Sequence, residues 1–65
     1  MEISVNGKTI EFEKEYISDI IVLYKLNPEE IAVEVNGTIV HSEEYAATGV
    51  KEGDKIEIVR FVGGG

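Results

Sequence analysis

The last three residues of the sequence are the group best suited to take part in chemistry. Gly63, Gly64 and Gly65 follow the final strand-like segment, and Gly65 carries the carboxylate at the end of the sequence. Glycine lacks a Cβ and adopts backbone conformations closed to other residues, so a glycine tail can enter a narrow channel and present its carboxylate to a partner enzyme. A frayed chain end would have the same composition. The rest of the sequence must decide between these interpretations.

Other residue types that could do chemistry are poorly placed for it. The sequence has no cysteine, which excludes a thiol nucleophile, a disulfide framework and a thiolate metal site, and His41 is its single histidine. The acidic pairs Glu29-Glu30 and Glu43-Glu44 lie on short polar segments, a pattern typical of a solvated surface. We therefore expect no catalytic side chain, no metal site and no permanently bound cofactor.

Size and charge narrow the functional classes. A chain of 65 residues forms one small domain, without room for a deep internal active site. Thirteen acidic against six basic residues give a net charge of −7, which argues against nucleic acid and favours basic protein partners, although acidity that only keeps the domain soluble is an equally good explanation. The absence of cysteine, of a signal-like amino terminus and of a long apolar run predicts a cytoplasmic protein with no membrane segment.

Two hairpins are predicted from alternation of apolar and polar residues. The alternation flanks Asn6-Gly7 and Asn36-Gly37, dipeptides that favour two-residue hairpin turns. The predicted strands of these hairpins are residues 1–5, 9–13, 31–35 and 38–40.

Between the hairpins the spacing of apolar residues changes to that of a helix. The residues that recur on one predicted helix face are Ile17, Ile20, Ile21 and Tyr24. The helix is predicted over about residues 17–26, and Asn27-Pro28 ends it because proline disfavours helical angles in the residue before it. Val22 and Leu23 make this helix more apolar than one buried face requires; they serve either a wider core or a contact surface, and we favour the core.

The last predicted strand, residues 55–61, has apolar side chains on both faces. If Ile56 and Ile58 pack under the helix, then Val59 and Phe61 lie on the open face beside the tail. Ordering three glycines in a channel costs roughly 3 to 6 kcal/mol, whereas burying about 200 Å² of apolar surface returns roughly 5 kcal/mol. Val59, Phe61 and the following Val62 are therefore the predicted partner-binding residues. The element order indicates an α+β domain with one sheet packed on one helix.

Several segments together resemble the ThiS-type sulfur carriers of thiamin biosynthesis. They are residues 35–40 (VNGTIV), residues 53–65 (GDKIEIVRFVGGG), residues 17–21 (ISDII) and residues 27–29 (NPE). The chain differs from this family at Lys25, where glycine is common, and at Val22 and Leu23, where polar residues are common. These differences concern the helix and leave the tail pattern intact.

The resemblance implies a β-grasp, ubiquitin-like fold. In that fold one mixed sheet of four to five strands packs on one main helix, and the last strand lies inside the sheet beside the first. Residues 1–62 would form the β-grasp domain, and residues 63–65 a flexible glycine tail.

The resemblance also implies a role as a carrier and cosubstrate, not as an enzyme. A ThiF-type adenylyltransferase, which resembles ubiquitin-activating enzymes, would use ATP to join AMP to the Gly65 carboxylate. Sulfur from a donor protein would then convert the carboxylate to a thiocarboxylate, which a ThiG-type thiazole synthase would consume.

Two other functions share the same fold and tail. One is a sulfur carrier of another pathway, such as the small subunit of molybdopterin synthase, and the other is a ubiquitin-like protein modifier. A stable complex with a large catalytic subunit would favour the first, and lysine-linked conjugates would favour the second.

Overall fold

The computed structural model describes residues 1–61, and the segment from Val62 to Gly65 lies outside the described part. The described residues form five strands, one α-helix and two short 3-10 helices. In chain order these are β1 (Glu2–Val5), β2 (Lys8–Glu11), α1 (Ile17–Leu23), a 3-10 helix (Pro28–Glu30), β3 (Ile31–Val35), β4 (Thr38–Val40), a 3-10 helix (Ser42–Glu44) and β5 (Lys55–Arg60).

Both predicted hairpins are confirmed, and their turns show why they contain Asn-Gly. Asn6 and Gly7 have φ angles of 51° and 83°, and Asn36 and Gly37 have 53° and 86°. Positive φ at both central residues produces a turn whose twist matches that of the flanking strands. Glycine adopts these angles freely, and asparagine tolerates them better than most residues.

The five strands form one mixed sheet in the order β2-β1-β5-β3-β4. β5 runs parallel to β1 and antiparallel to β3, and both hairpins are antiparallel. The last strand therefore lies inside the sheet beside the first, which confirms the arrangement expected of a β-grasp fold.

The core lies between α1 and one face of the sheet. Side chains alternate along each strand, so every second residue faces the helix. The buried apolar residues are Ile3, Val5, Phe12, Ile17, Ile20, Ile21, Ile31, Val33, Val40, Tyr45, Val50 and Ile56. Because α1 is the one α-helix among residues 1–61 and covers one face, the opposite face of the sheet is left open.

The predicted placement of Val22 and Leu23 in the core is wrong. Their side chains are 74% and 56% exposed, and Tyr24, predicted on the buried helix face, is 40% exposed. With seven residues, α1 makes about two turns and presents its buried face through Ile17, Ile20 and Ile21. Val22 and Leu23 follow directly on Ile21 and point away from the sheet.

The helix also ends earlier than predicted, at Leu23 and not near residue 26. The Lys25 amide donates to the Val22 carbonyl (3.0 Å) and the Leu26 amide to the Ile21 carbonyl (2.9 Å), and Lys25 has a φ of 57°. This is a Schellman motif, in which the residue after the C-cap adopts the left-handed conformation that glycine prefers. The structure thus accounts for the glycine that is common at this position in ThiS-type sequences.

Candidate functional site

The open face of β5 carries the residues predicted to contact a partner. Ile56 is fully buried toward α1, whereas Val59 is 59% and Phe61 54% exposed on the opposite face. The predicted division of β5 between its two faces is therefore confirmed. Val62, the third predicted contact, lies outside the described residues, as do Gly63, Gly64 and Gly65.

Strand pairing holds these two side chains in place. Val59 lies directly opposite Ala32 of β3. One residue past the end of β5, the Phe61 amide still donates to the Glu30 carbonyl, with a distance of 2.7 Å. The backbone is thus anchored up to the last described residue, so Phe61 has a defined position, two residues before Gly63 in the sequence.

Two further residues extend the apolar surface, and the sequence analysis did not select either of them. Ile39 on β4 is 60% exposed. Ala32, Ile39 and Phe61 line a shallow depression of about 390 Å³. The alternation of residues 38–40 contained the signal, because Val40 faces the core and its neighbour Ile39 must then face outward. We call Ala32, Ile39, Val59 and Phe61 the apolar patch.

The other part of the open face is acidic. Glu34 of β3 lies directly opposite Glu57 of β5, and Glu2 lies opposite Glu11 in the first hairpin. Like charges directly opposite each other in a sheet are destabilising. Within residues 1–61 the sole salt bridge joins the Met1 amino group to Glu11 (3.5 Å), so Glu34 and Glu57 form none, although Lys55 lies on the same face of β5. The face therefore combines an apolar patch with an acidic border, which complements a basic protein surface.

The described residues contain no group of three or more His, Cys, Asp and Glu side chains that could hold a metal ion. Burial raises the pKa of the Tyr45 hydroxyl above its ordinary value. Because Tyr45 belongs to the core, this perturbation reflects packing and does not mark a site. His41 is exposed.

Among residues 1–61 there is no helix with the length and hydropathy needed to span a membrane. The cytoplasmic location stays a prediction.

Comparison with known proteins gives consistent results over the whole chain. Residues 3–65 match the ThiS family. The chain is 37% identical over 65 residues to the sulfur carrier protein ThiS of Bacillus subtilis, covering 97% of this chain and 98% of that protein. It also superimposes on the crystal structure of a thiamine biosynthesis protein (ThiS) from Geobacter metallireducens with a TM-score of 0.84, at 33% identity and full coverage of both chains.

One relative is a much larger protein. The chain is 35% identical over 66 residues to the thiazole synthase of Paramagnetospirillum magneticum. The match covers 100% of this chain but 20% of the synthase. A segment similar to this entire domain therefore occurs within a single polypeptide named as a thiazole synthase.

Proposed function

The chain belongs to the ThiS family, and we propose that it carries sulfur for thiamin biosynthesis as a thiocarboxylate on Gly65. The observation that supports this most strongly is the match to a sulfur carrier protein over 97% of this chain and 98% of the relative. The family match itself extends through Gly65. The chain is a carrier and not an enzyme, so the catalytic groups belong to its partners.

The chemistry at Gly65 takes two steps. A carboxylate is a poor electrophile, and a terminal carboxyl group is ionised near neutral pH. In the first step a carboxylate oxygen attacks the α-phosphorus of ATP on a ThiF-type adenylyltransferase, and pyrophosphate leaves. In the second step sulfur at the oxidation level of sulfide, supplied by a donor protein, attacks the acyl carbon and displaces AMP. The product is a terminal thiocarboxylate.

Docking of the folded body supplies the binding energy that the glycines lack. Val59 and Phe61 lie on the open face at the end of β5, close in sequence to Gly65. From Phe61, the four residues 62–65 reach at most about 13 to 14 Å when extended. A partner that covers the apolar patch thus brings its active site within reach of the Gly65 carboxylate.

The partner that accepts the sulfur is a thiazole synthase. The synthase that contains a segment similar to this chain supports this assignment. Joining two binding modules in one polypeptide raises their effective concentration, an advantage when the modules act on each other. The ThiF-type adenylyltransferase, its use of ATP and the sulfur donor are further parts of the proposal.

Mass spectrometry of the intact chain tests the chemistry. The protein is incubated with ATP, its cognate adenylyltransferase and a sulfur donor. Replacement of one carboxylate oxygen by sulfur adds about 16 Da at the C-terminus. No mass change with a cognate adenylyltransferase that is shown to be competent would contradict the proposal.

A truncated chain that lacks Gly64 and Gly65 is the matched control. We expect it to keep the circular dichroism spectrum and urea midpoint of the full chain, because residues 1–61 contain the core described above. It should gain no mass in the same reaction. Modification of the truncated chain would place the sulfur elsewhere than Gly65.

A further inference from the structure

The end of β5 has an open backbone edge on the side away from β3. The Asn36 amide donates to the Lys55 carbonyl (2.8 Å), and the Phe61 amide donates to the Glu30 carbonyl (2.7 Å). In an antiparallel pair the backbone groups of successive residues point alternately to opposite sides of the strand. The odd-numbered residues of β5 therefore pair with β3, and the even-numbered residues point toward β1.

β1 is too short to pair with all of those even-numbered residues. Its paired positions on β5 end at Ile56, opposite Val5. The Asn6 amide then donates to the Ile56 carbonyl with a distance of 2.9 Å. Beyond this point the chain turns away at Asn6-Gly7 into β2.

The side chain of Asn6 pairs with the backbone of Ile58, the next even-numbered residue of β5. Its Oδ1 accepts from the Ile58 amide (2.7 Å), and its Nδ2 donates to the Ile58 carbonyl (3.1 Å). One side-chain amide thus satisfies both backbone groups that a longer β1 would otherwise pair. The ladder on this side of β5 reaches Ile58.

Arg60 is the next even-numbered residue, and its backbone groups are open. Neither its N–H nor its C=O has a hydrogen-bond partner among the described residues. Unpaired backbone groups on a strand edge are a template onto which an extended peptide adds as a further strand. Because the Asn6 side chain covers the edge up to Ile58, Arg60 is the first residue whose backbone groups are open on this side.

A groove lies beside this edge, on the helix side of the sheet. It has a volume of about 530 Å³, an apolar surface from Leu26, Ile31 and Ile58, and a wall formed by Tyr24. Lys8 and Arg60, two of the six basic residues of this acidic chain, also line it. The groove fits an apolar side chain and an acidic one two residues away from it, because side chains two residues apart on a strand share a face.

We propose that an extended segment of the thiazole synthase adds beside β5, with backbone hydrogen bonds to the N–H and C=O groups of Arg60. An apolar side chain of this segment enters the groove, and an acidic side chain meets Lys8 and Arg60. The identity of the partner rests on the proposed function. An inorganic anion fits this site less well. It would contact Lys8 and Arg60 alone and would leave the apolar surface of the groove and the Arg60 backbone groups without a partner.

This contact is distinct from the apolar patch. Val59 and Phe61 lie on the open face of the sheet, whereas the added strand would lie in the plane of the sheet and its apolar and acidic side chains would face the helix side. A partner that uses both surfaces would hold the end of β5 from two directions and limit its movement while Gly65 reacts.

The test compares Arg60→Pro with Arg60→Ala. Proline removes the N–H that points to the open edge, while the pairing of Val59 and Phe61 with β3 does not use that group. Alanine removes the charge and keeps the N–H. We expect both variants to keep the urea midpoint of the native chain, and we expect Arg60→Pro to bind the cognate thiazole synthase about tenfold more weakly than Arg60→Ala, as for one backbone hydrogen bond left unmade.

Amide hydrogen exchange on the native chain gives a second readout that needs no variant. The Arg60 amide should exchange rapidly in the free protein and slowly in the complex with the synthase. Equal binding of the two variants, or an Arg60 amide that still exchanges rapidly in a complex that has formed, would overturn the strand addition and leave the sulfur chemistry untouched. A native chain that gains the thiocarboxylate mass but does not bind the synthase would overturn the partner assignment and this inference together.

Discussion

On β5, the side chains that point toward α1 and those that point away from it have opposite surroundings. Ile56 is completely buried in the core, whereas Val59 and Phe61 are more than half exposed. One strand therefore contributes to the stability of the fold through one face and offers a contact surface through the other. Because the two sets of side chains alternate, substitutions can change one property and leave the other almost intact.

The small size of the chain explains why the two faces differ. One helix covers one face of the sheet, and a domain of this length has too little chain to cover the second. Single exposed apolar residues are common on any protein. Here Val59 pairs with Ala32, while Ile39 and Phe61 share a depression with Ala32, so the exposed apolar side chains form one patch at the end of the strand that leads to the glycines.

The largest effect is expected at Ile56. Replacing it with alanine removes a side chain that is fully buried among the core residues, and we expect a loss of about 2 to 5 kcal/mol in the free energy of unfolding. Urea denaturation followed by circular dichroism measures this loss. Val59→Ala on the other face is the matched control, with an expected change within about 0.5 kcal/mol. Similar losses in the two variants would contradict the division of β5.

Phe61→Ala should affect binding and spare the fold. We expect affinity for the adenylyltransferase or the thiazole synthase to fall by about 2 kcal/mol, roughly 30-fold, because a central aromatic contact would be lost. The free energy of unfolding should change by no more than about 0.5 kcal/mol. Calorimetric titration and urea denaturation separate the two quantities. A loss that is mainly of stability would assign Phe61 to the folded core.

Lys25→Gly should raise the free energy of unfolding, because it relieves the strained backbone at the end of α1. It should leave the affinity for partners unchanged. A lysine in the left-handed region lowers stability by about 1 to 2 kcal/mol, a cost that glycine does not have. Glycine instead lowers stability by about 0.5 to 1 kcal/mol, because its backbone loses more entropy on folding. We therefore expect a net gain of roughly 0.5 to 1 kcal/mol in the free energy of unfolding. Lys25→Ala, which keeps the strained φ, should show no such gain. Altered partner affinity in the glycine variant would show that the helix end takes part in binding.

The smallest effect is expected from the acidic part of the open face. Glu57→Gln removes the repulsion with Glu34 across the β3–β5 pair, and we expect stability to rise by about 0.2 to 1 kcal/mol. The same change should slow association with a basic partner, most strongly at low salt. Stopped-flow kinetics at two ionic strengths measures this rate. An unchanged association rate would limit the role of the acidic border to solubility.

Local patterns in the sequence predicted much of the fold correctly. Alternation identified the strands, Asn-Gly located both hairpin turns, and alternation along the last strand predicted that Val59 and Phe61 face away from the core. These features depend on neighbouring residues, which is why they can be read without a structure. The run from Ile20 to Leu23 was different, because four consecutive apolar residues match every face of a helix and their spacing cannot show which face is buried.

The sequence by itself determined the two hairpins, the helix, the apolar face of the last strand and the glycine segment with its resemblance to sulfur carriers. The tertiary structure decided that Val22 and Leu23 are exposed, that Ala32 and Ile39 complete the apolar patch, and that Asn6 pairs with Ile58. Asn6 and Ile58 are 52 residues apart in sequence, and their contact forms because packing brings β1 and β5 side by side. The same packing leaves the Arg60 edge open, since the length of one strand relative to a distant neighbour is set by the assembled sheet.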